Sequence, residues 1–337
     1  MKLATRMSRL GTETAFEVLV RARALEAQGR DIVHLEVGEP DFDTPANIIE
    51  AGAHALRSGW THYGPAAGLP DLREAIATYL NSSRDTEYDA SNIVVTPGGK
   101  PIMFFVILAL LEAGDEAIYP NPGFPIYESM INFVGAKAVP SPILESRDFA
   151  LDVDQLASLI TPKTKLLIIN SPANPTGGVL NREEIARIAE LAVEHDLTVL
   201  ADEIYSEILY EGEHVSIATM PGMAERTIIL DGFSKTYAMT GWRLGYGAMP
   251  EEFAQVIANL MVNSNSCTSM AVQRAGLEAL TGPQDEVRAM VEAFRKRRDL
   301  IVDGLNAIDG ISCLRPKGAF YVFPNISGVG MMSKPFA

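Results

Sequence analysis

The sequence predicts an α/β fold: a mainly parallel sheet with helices on both faces, joined to a smaller α+β domain. Three observations predict it. From about residue 90 onward, short β-branched runs alternate with longer helical patterns. Those runs are almost continuously apolar, as strands covered on both faces are. Outside that core the pattern changes, to an irregular Gly/Pro/Asp loop before it and a long amphipathic helix after it.

Taken in order, residues 12–28 read as an N-terminal helix and residues 36–45 as the irregular loop, followed by a helical pattern and the turn Tyr63-Gly64-Pro65-Ala66-Ala67-Gly68. Strands are expected at residues 93–95, 116–119, 165–170, 198–202 and 227–230. Between them, residues 182–195 place Ile185, Ile188, Ala189 and Ala192 on one helix face. Residues 102–111 are a ten-residue apolar run ending at Glu112, a buried helix well short of the ~20 residues that span a bilayer. Val287, Met290, Val291, Phe294, Ile301 and Leu305 mark the long amphipathic helix, and residues 310–324 read as a strand pair. The expected division is a large domain over residues 46–284 and a discontinuous small domain from residues 1–45 and 285–337.

Bulk properties narrow the function. The chain is 47% apolar and 21% charged, ordinary globular usage that disfavours disorder and coiled coil. Its net charge of -15 argues against nucleic acid or an anionic membrane as partner. Cys267 and Cys313 are the only cysteines, too few for a disulfide framework, and no apolar signal core follows the N-terminal basic residues. A cytoplasmic protein is expected. The five histidines show no metal-ligand spacing, so no metal is expected.

In open sheets of this kind ligands collect at the carboxyl ends of the strands, and those ends carry the chemistry here. They are Thr96-Pro97-Gly98-Gly99-Lys100, Asn121 to Phe124, Asn170 to Gly177, Asp202-Glu203-Ile204-Tyr205, and Asp231 to Lys235. Gly98-Gly99-Lys100 is no Walker loop, because Val94 and Pro101 occupy two of its required positions. What remains is a Gly-Gly turn at a helix start, whose free N–H groups can hold a phosphate.

Each of these residues has an ordinary reading by itself. A loop lysine such as Lys235 is more often solvated. Asp202 could cap a helix, Asn174 could serve its turn, Phe124 and Tyr205 could be core, and Arg243 could form a surface ion pair. Together they describe one object. A lysine, a buried aspartate that needs a cationic partner, a phenol, an amide and an arginine suit a cofactor with an aldehyde, a pyridine nitrogen, a phenolic oxygen and a phosphate. Pyridoxal 5′-phosphate fits that description.

On these residues the chain resembles the class I/II aminotransferases of the aspartate aminotransferase fold type, over about residues 38–323. The specific motifs are Gly38-Glu39-Pro40-Asp41-Phe42, Asn174-Pro175-Thr176-Gly177, Asp202-Glu203-Ile204-Tyr205, and Ser234-Lys235 with Arg243. The resemblance implies the fold type I architecture and a set of roles. Lys235 would hold the cofactor as a Schiff base and later move the proton. Asp202 would keep the pyridine nitrogen protonated, while Tyr205 and Asn174 would bond the phenolic oxygen. Phe124 would stack on the ring. Gly99, the Lys100 backbone, Ser234 and Arg243 would hold the phosphate, with Tyr63 reaching it from a second subunit of a homodimer. Gly38 would line the carboxylate pocket, shared with Asn174.

The implied reaction exchanges an amino group between an amino acid and a 2-oxo acid. A carbon–sulfur lyase or related eliminating enzyme of the same fold is the alternative, and a ligand sensor would need a basic DNA-binding module that the chain has no residues left to form. Family members continue beyond the Gly318-Phe323 segment and carry there an arginine that grips the substrate carboxylate. This sequence ends at Ala337 without it, so a fragment is expected.

Overall fold

The computed structural model describes residues 1–336. The N-terminal part contains α1 (Ala15–Glu26), α2 (Ala46–Arg57) and α3 (Pro70–Arg84). Proline at the first position of α3 and a left-handed Asp85 just after it set that helix's two ends. Next come β1 (Ile93–Thr96), α4 (Lys100–Leu110), β2 (Glu116–Asn121), α5 (Ile126–Val134), β3 (Lys137–Pro142), α6 (Val153–Leu159) and β4 (Thr164–Asn170). After them are α7 (Arg182–Glu194), β5 (Thr198–Asp202), β6 (Thr227–Gly232), the single turn α8 (Phe233–Thr236), β7 (Gly245–Ala248), α9 (Glu251–Ser264), α10 (Met270–Thr281) and α11 (Asp285–Asn306). A capping box between Asn181 and Glu184 starts α7, satisfying two of its first amide groups.

The seven strands form one sheet in the order β1-β7-β6-β5-β4-β2-β3. Strands β2 to β6 pair in parallel, whereas β7 runs antiparallel to both β6 and β1. Alternation along each strand explains why the runs are apolar throughout. Leu166, Ile168, Leu200, Ile228 and Leu230 pack into the layer of α4, α5 and α9. Their neighbours Leu167, Ile169, Val199 and Ala201 pack against α6 and α7, and Ile229 against α2, α3 and α10. A fourth cluster joins Met290 and Phe294 of α11 to Tyr205, Ile208, Tyr210, Ala319 and Phe42. It lies beside the exit of β5. The N-terminal stretch docks elsewhere, with Arg9 donating to the carbonyl of Asn132 and the Gly11 amide donating to Ser129, both on α5.

One expectation needs correction, and two strands were not foreseen. Residues 310–324 form no strand pair, because Ala319 takes a left-handed φ of 55°. Isolated bridges link Leu209 to Gly318 and Ser312 to Asn325 instead. Strand β3 is one of the two; Pro140 and Pro142 remove two of its donors, and it lies at the sheet edge where proline is tolerated. Strand β7 has two glycines among four residues, an unfavourable composition for a strand. Close approach requires them: a Cβ on Gly245 would lie 2.4 Å from the Gly99 nitrogen, and one on Gly247 would lie 2.6 Å from Met249.

Gly245→Ala therefore lowers stability by about 1–3 kcal/mol, the usual cost of overpacking. Gly304→Ala, which meets open space on a helix, raises it by up to about 1 kcal/mol. Urea denaturation midpoints check both signs. A neutral Gly245→Ala would remove the packing explanation for β7.

Candidate active site

The exits of β5 and β6 supply the two central groups. Asp202 is the last residue of β5, 7% exposed, and accepts a hydrogen bond from the Tyr127 hydroxyl at 2.5 Å and one from the Ile204 amide at 3.3 Å. No helix follows it, so the capping reading lapses. Sequence reasoning called for a cation beside this carboxylate, yet its hydrogen-bond partners are a phenol and an amide. Burial pushes its pKa up to about 6, opposed by the Tyr127 bond and by the positive charge of Lys235 nearby.

Lys235 lies in the short turn α8 that leaves β6. Its Nζ donates to the carbonyl oxygen of Gly38 at 2.5 Å and lies 6.0 Å from the Tyr205 ring and 5.5 Å from the Phe320 ring. Burial lowers its pKa to about 8; Glu39 and Glu13 oppose this, while Lys100 and Arg243 reinforce it. At that value on the order of a tenth is uncharged amine at pH 7, far more than for an ordinary lysine, and the uncharged amine is the nucleophilic form.

The remaining residues connect around this pair. Tyr205 is buried and shares a 2.5 Å hydrogen bond with Tyr321. Asn174 is tied in through Asn170, whose Oδ1 accepts from the Asn174 amide at 2.7 Å while its Nδ2 donates to the Asp202 carbonyl at 2.9 Å. Phe124 packs edge-on against Tyr127 at 5.6 Å, with Lys100 Nζ 5.1 Å from its ring. The Lys100 ammonium is paired with Glu13 at 2.7 Å.

Beyond them, Gly99 is the N-cap of α4 and no side chain caps that helix start. The Arg243 guanidinium packs on Gly98, where a Cβ would come within 2.3 Å of it, and donates to the Thr240 carbonyl at 2.8 Å. Ser234 opens the half-buried face of the Lys235 turn. A helix N-terminus facing an arginine is an anion cradle. Tyr63 stands apart, 87% exposed and joined to none of the other candidates.

Sequence reasoning missed Tyr127, Tyr321 and Asn170. Tyr127 follows Phe124 by three residues, with its amide bonded to the Phe124 carbonyl at 3.1 Å, and that spacing was the available signal. Tyr321 lay in a segment read as a strand.

Fold and site together define an α/β enzyme whose reactive groups gather at the carboxyl ends of a parallel sheet, with an amine, a carboxylate and an anion cradle in one place. The family described as aminotransferase class I and II matches residues 30–334. The chain is 42% identical over 332 residues to an aspartate aminotransferase of Musicola paradisiaca, covering 98% of this chain and 83% of that protein. It is 42% identical over 329 residues to a probable aspartate/prephenate aminotransferase of Aquifex aeolicus, covering 96% and 84%. Among solved structures, the aspartate aminotransferase from Thermus thermophilus with maleate superposes with a TM-score of 0.92 at 40% identity, covering 96% of this chain and 85% of that one. The aspartate aminotransferase from Rhizobium meliloti gives 0.94 at 37%, covering 98% and 83%. The chain belongs to the class I and II aminotransferases. It is an aminotransferase with the fold type I sheet.

Proposed function

We propose that this aminotransferase works with pyridoxal 5′-phosphate, carried by Lys235, and takes aspartate as amino donor to a 2-oxo acid. The observation that carries the reading is Asp202: a buried carboxylate without a cationic hydrogen-bond partner in the protein suits a protonated pyridine nitrogen. The fit extends to the uncapped start of α4 beside Arg243, which suits a phosphate. When bound, the cofactor supplies an aldehyde carbon for the amino group and a ring that withdraws electrons.

The chain's residues do the rest. Lys235 presents a largely desolvated amine, whose lowered pKa lets it act first as nucleophile and then, once released, as the base that moves a proton from the substrate Cα. Asp202 would hold a proton on the ring nitrogen, with Tyr127 fixing the carboxylate's orientation. Tyr205 and Asn174 would bond the phenolic oxygen. Gly99, the Lys100 amide, Ser234 and Arg243 would hold the phosphate, and Phe124 would stack on the ring. Gly38 would line the pocket of the substrate carboxylate through its backbone, the space of its missing side chain being taken by Tyr321.

The aspartate assignment draws on the names of the relatives, several of which are aspartate aminotransferases. We further propose a two-fold dimer in which the exposed Tyr63 serves the neighbouring site. The small domain would comprise residues 1–45 and 285–337 against a large domain of 46–284. No helix among the described residues is long and apolar enough to cross a membrane, and both cysteines are free, which supports a cytoplasmic setting.

Single-turnover spectra test the reading. Aspartate added to the loaded enzyme yields oxaloacetate and the aminated cofactor in equal amounts. Release of ammonia or thiol from an amino acid with the cofactor unchanged would instead assign an eliminating enzyme.

A further inference from the structure

Two phenols meet beside the lysine, and only one of them has a role in the reading above. Tyr205 and Tyr321 share a hydrogen bond of 2.5 Å between hydroxyl oxygens, with their rings edge-on at 5.6 Å. Among the described residues neither hydroxyl has another hydrogen-bonding partner in the protein. Each phenol carries one proton and can accept as well as donate. One proton lies between the two oxygens, and the second is free to be donated elsewhere.

The surroundings fix Tyr321 in this place. Its ring packs against Phe320 at 5.1 Å, and Phe320 is stacked on Phe294 of α11 at 5.0 Å. Its hydroxyl lies over Gly38, where a Cβ would come within 2.5 Å of the phenol oxygen. That glycine therefore admits the Tyr321 hydroxyl, and the same residue's carbonyl receives Lys235 Nζ. Burial keeps both phenols neutral: Tyr321 is pushed up to about 12 and Tyr205 well above the ordinary phenol value. Both protons are present at any working pH.

We propose that Tyr321 is a positioning residue: it donates its proton to the Tyr205 oxygen, so that the Tyr205 proton is turned toward the cofactor's phenolic oxygen. The inference rests on the proposed placement of Tyr205 at that oxygen. A hydroxyl that accepts one hydrogen bond donates a stronger one. Tyr321 thereby strengthens the stabilisation of negative charge on the cofactor oxygen without touching it.

The test is a pH titration of the visible band of the lysine-bound cofactor in holoenzyme carrying Tyr321→Phe, Tyr205→Phe, or both. Phenylalanine keeps the ring contacts with Phe320, so folding is retained, and thermal melting confirms it. A weaker bond to the phenolic oxygen makes the lysine-bound nitrogen more basic. Tyr321→Phe therefore moves the transition upward by about half a pH unit or more, and the shift disappears in the Tyr205→Phe background.

An unchanged or downward transition in Tyr321→Phe overturns the inference. So does a shift of the same size in both backgrounds, which would mean that Tyr321 reaches the cofactor directly. A wild-type holoenzyme with no Lys235-dependent visible band overturns the parent reading, and this inference with it. A normal band with no shift overturns this inference alone.

Discussion

Lys235→Ala lowers amino transfer by at least about 10⁴-fold and abolishes the cofactor adduct that borohydride fixes to the wild-type chain, one per chain. The size follows from two functions lost at once. General base catalysis by a placed side chain is worth about 10²–10⁴ by itself, and the covalent anchor that presents the cofactor is lost with it. No other lysine can substitute. Lys100 is the lysine whose charge acts on Lys235, but it is exposed, and its ammonium is paired with Glu13 and lies over the Phe16 and Phe124 rings. Lys235→Arg keeps a cation near Gly38 yet provides no nucleophile, because guanidinium stays protonated. It fails to form the adduct as well. A reducible adduct of unchanged stoichiometry in Lys235→Ala would relocate the chemistry to another residue.

How much of this was legible in the sequence depended on where the determining contacts lay. Strands β2, β4, β5 and β6 were readable because their burial on both faces demands consecutive apolar residues. Strand β7 was not, because Gly245 is there for the backbone of the Gly98-Gly99 turn and Gly247 in part for Ile102, partners far away in the chain. The strand misread at residues 318–323 has the right apolar pattern. What breaks it is the left-handed Ala319, tied to the turn at Ile208 through its amide.

The site divides in the same way. Lys235 and Asp202 stand out because a charged group at the exit of a buried strand is costly unless something pairs with it, and Arg243 stands out only by its place shortly after Ser234-Lys235 in the sequence. Their supports were not legible. Tyr127 lies 75 residues before Asp202 on a helix of the opposite layer, and Tyr321 lies 116 residues beyond Tyr205. Beyond the three-residue spacing of Tyr127 from Phe124, nothing local in the sequence marks these two.

Arg84 was likewise silent, as one arginine at the end of α3. In the fold its guanidinium donates to Glu203 at 2.7 Å, to Asp231 at 2.5 Å and to Ser206 at 2.6 Å. Glu203 also accepts from Ser216 at 2.6 Å and lies 3.0 Å from His214. Glu203 follows Asp202 directly, and Asp231 precedes Lys235 by four residues, so one cation ties together the strand exits that carry Asp202 and Lys235.

Arg84→Met leaves two buried carboxylates facing each other and lowers stability by about 3–5 kcal/mol, the usual cost of removing one partner from a buried ionic cluster. The penalty depends on pH through the two carboxylates. In the wild type His214, Arg84 and Ser216 hold Glu203 down to about 2 against burial. Its contribution is present above the ordinary carboxylate range and is lost only as pH falls through that value. Burial outweighs Arg84 at Asp231 and raises it to about 7, so Asp231 binds its proton more tightly folded than unfolded, and its ionisation costs stability as pH rises toward that value. Without Arg84 both carboxylates move upward. Ionising them in the folded state then becomes more costly with each step in pH, so the loss in melting temperature is larger at pH 8 than at pH 5. Arg84→Lys, which returns a charge without the planar fork, recovers part of the loss. Equal losses at the two pH values would mean that Arg84 contributes packing alone, and that the exits of β5 and β6 are held by their sheet bonds without it.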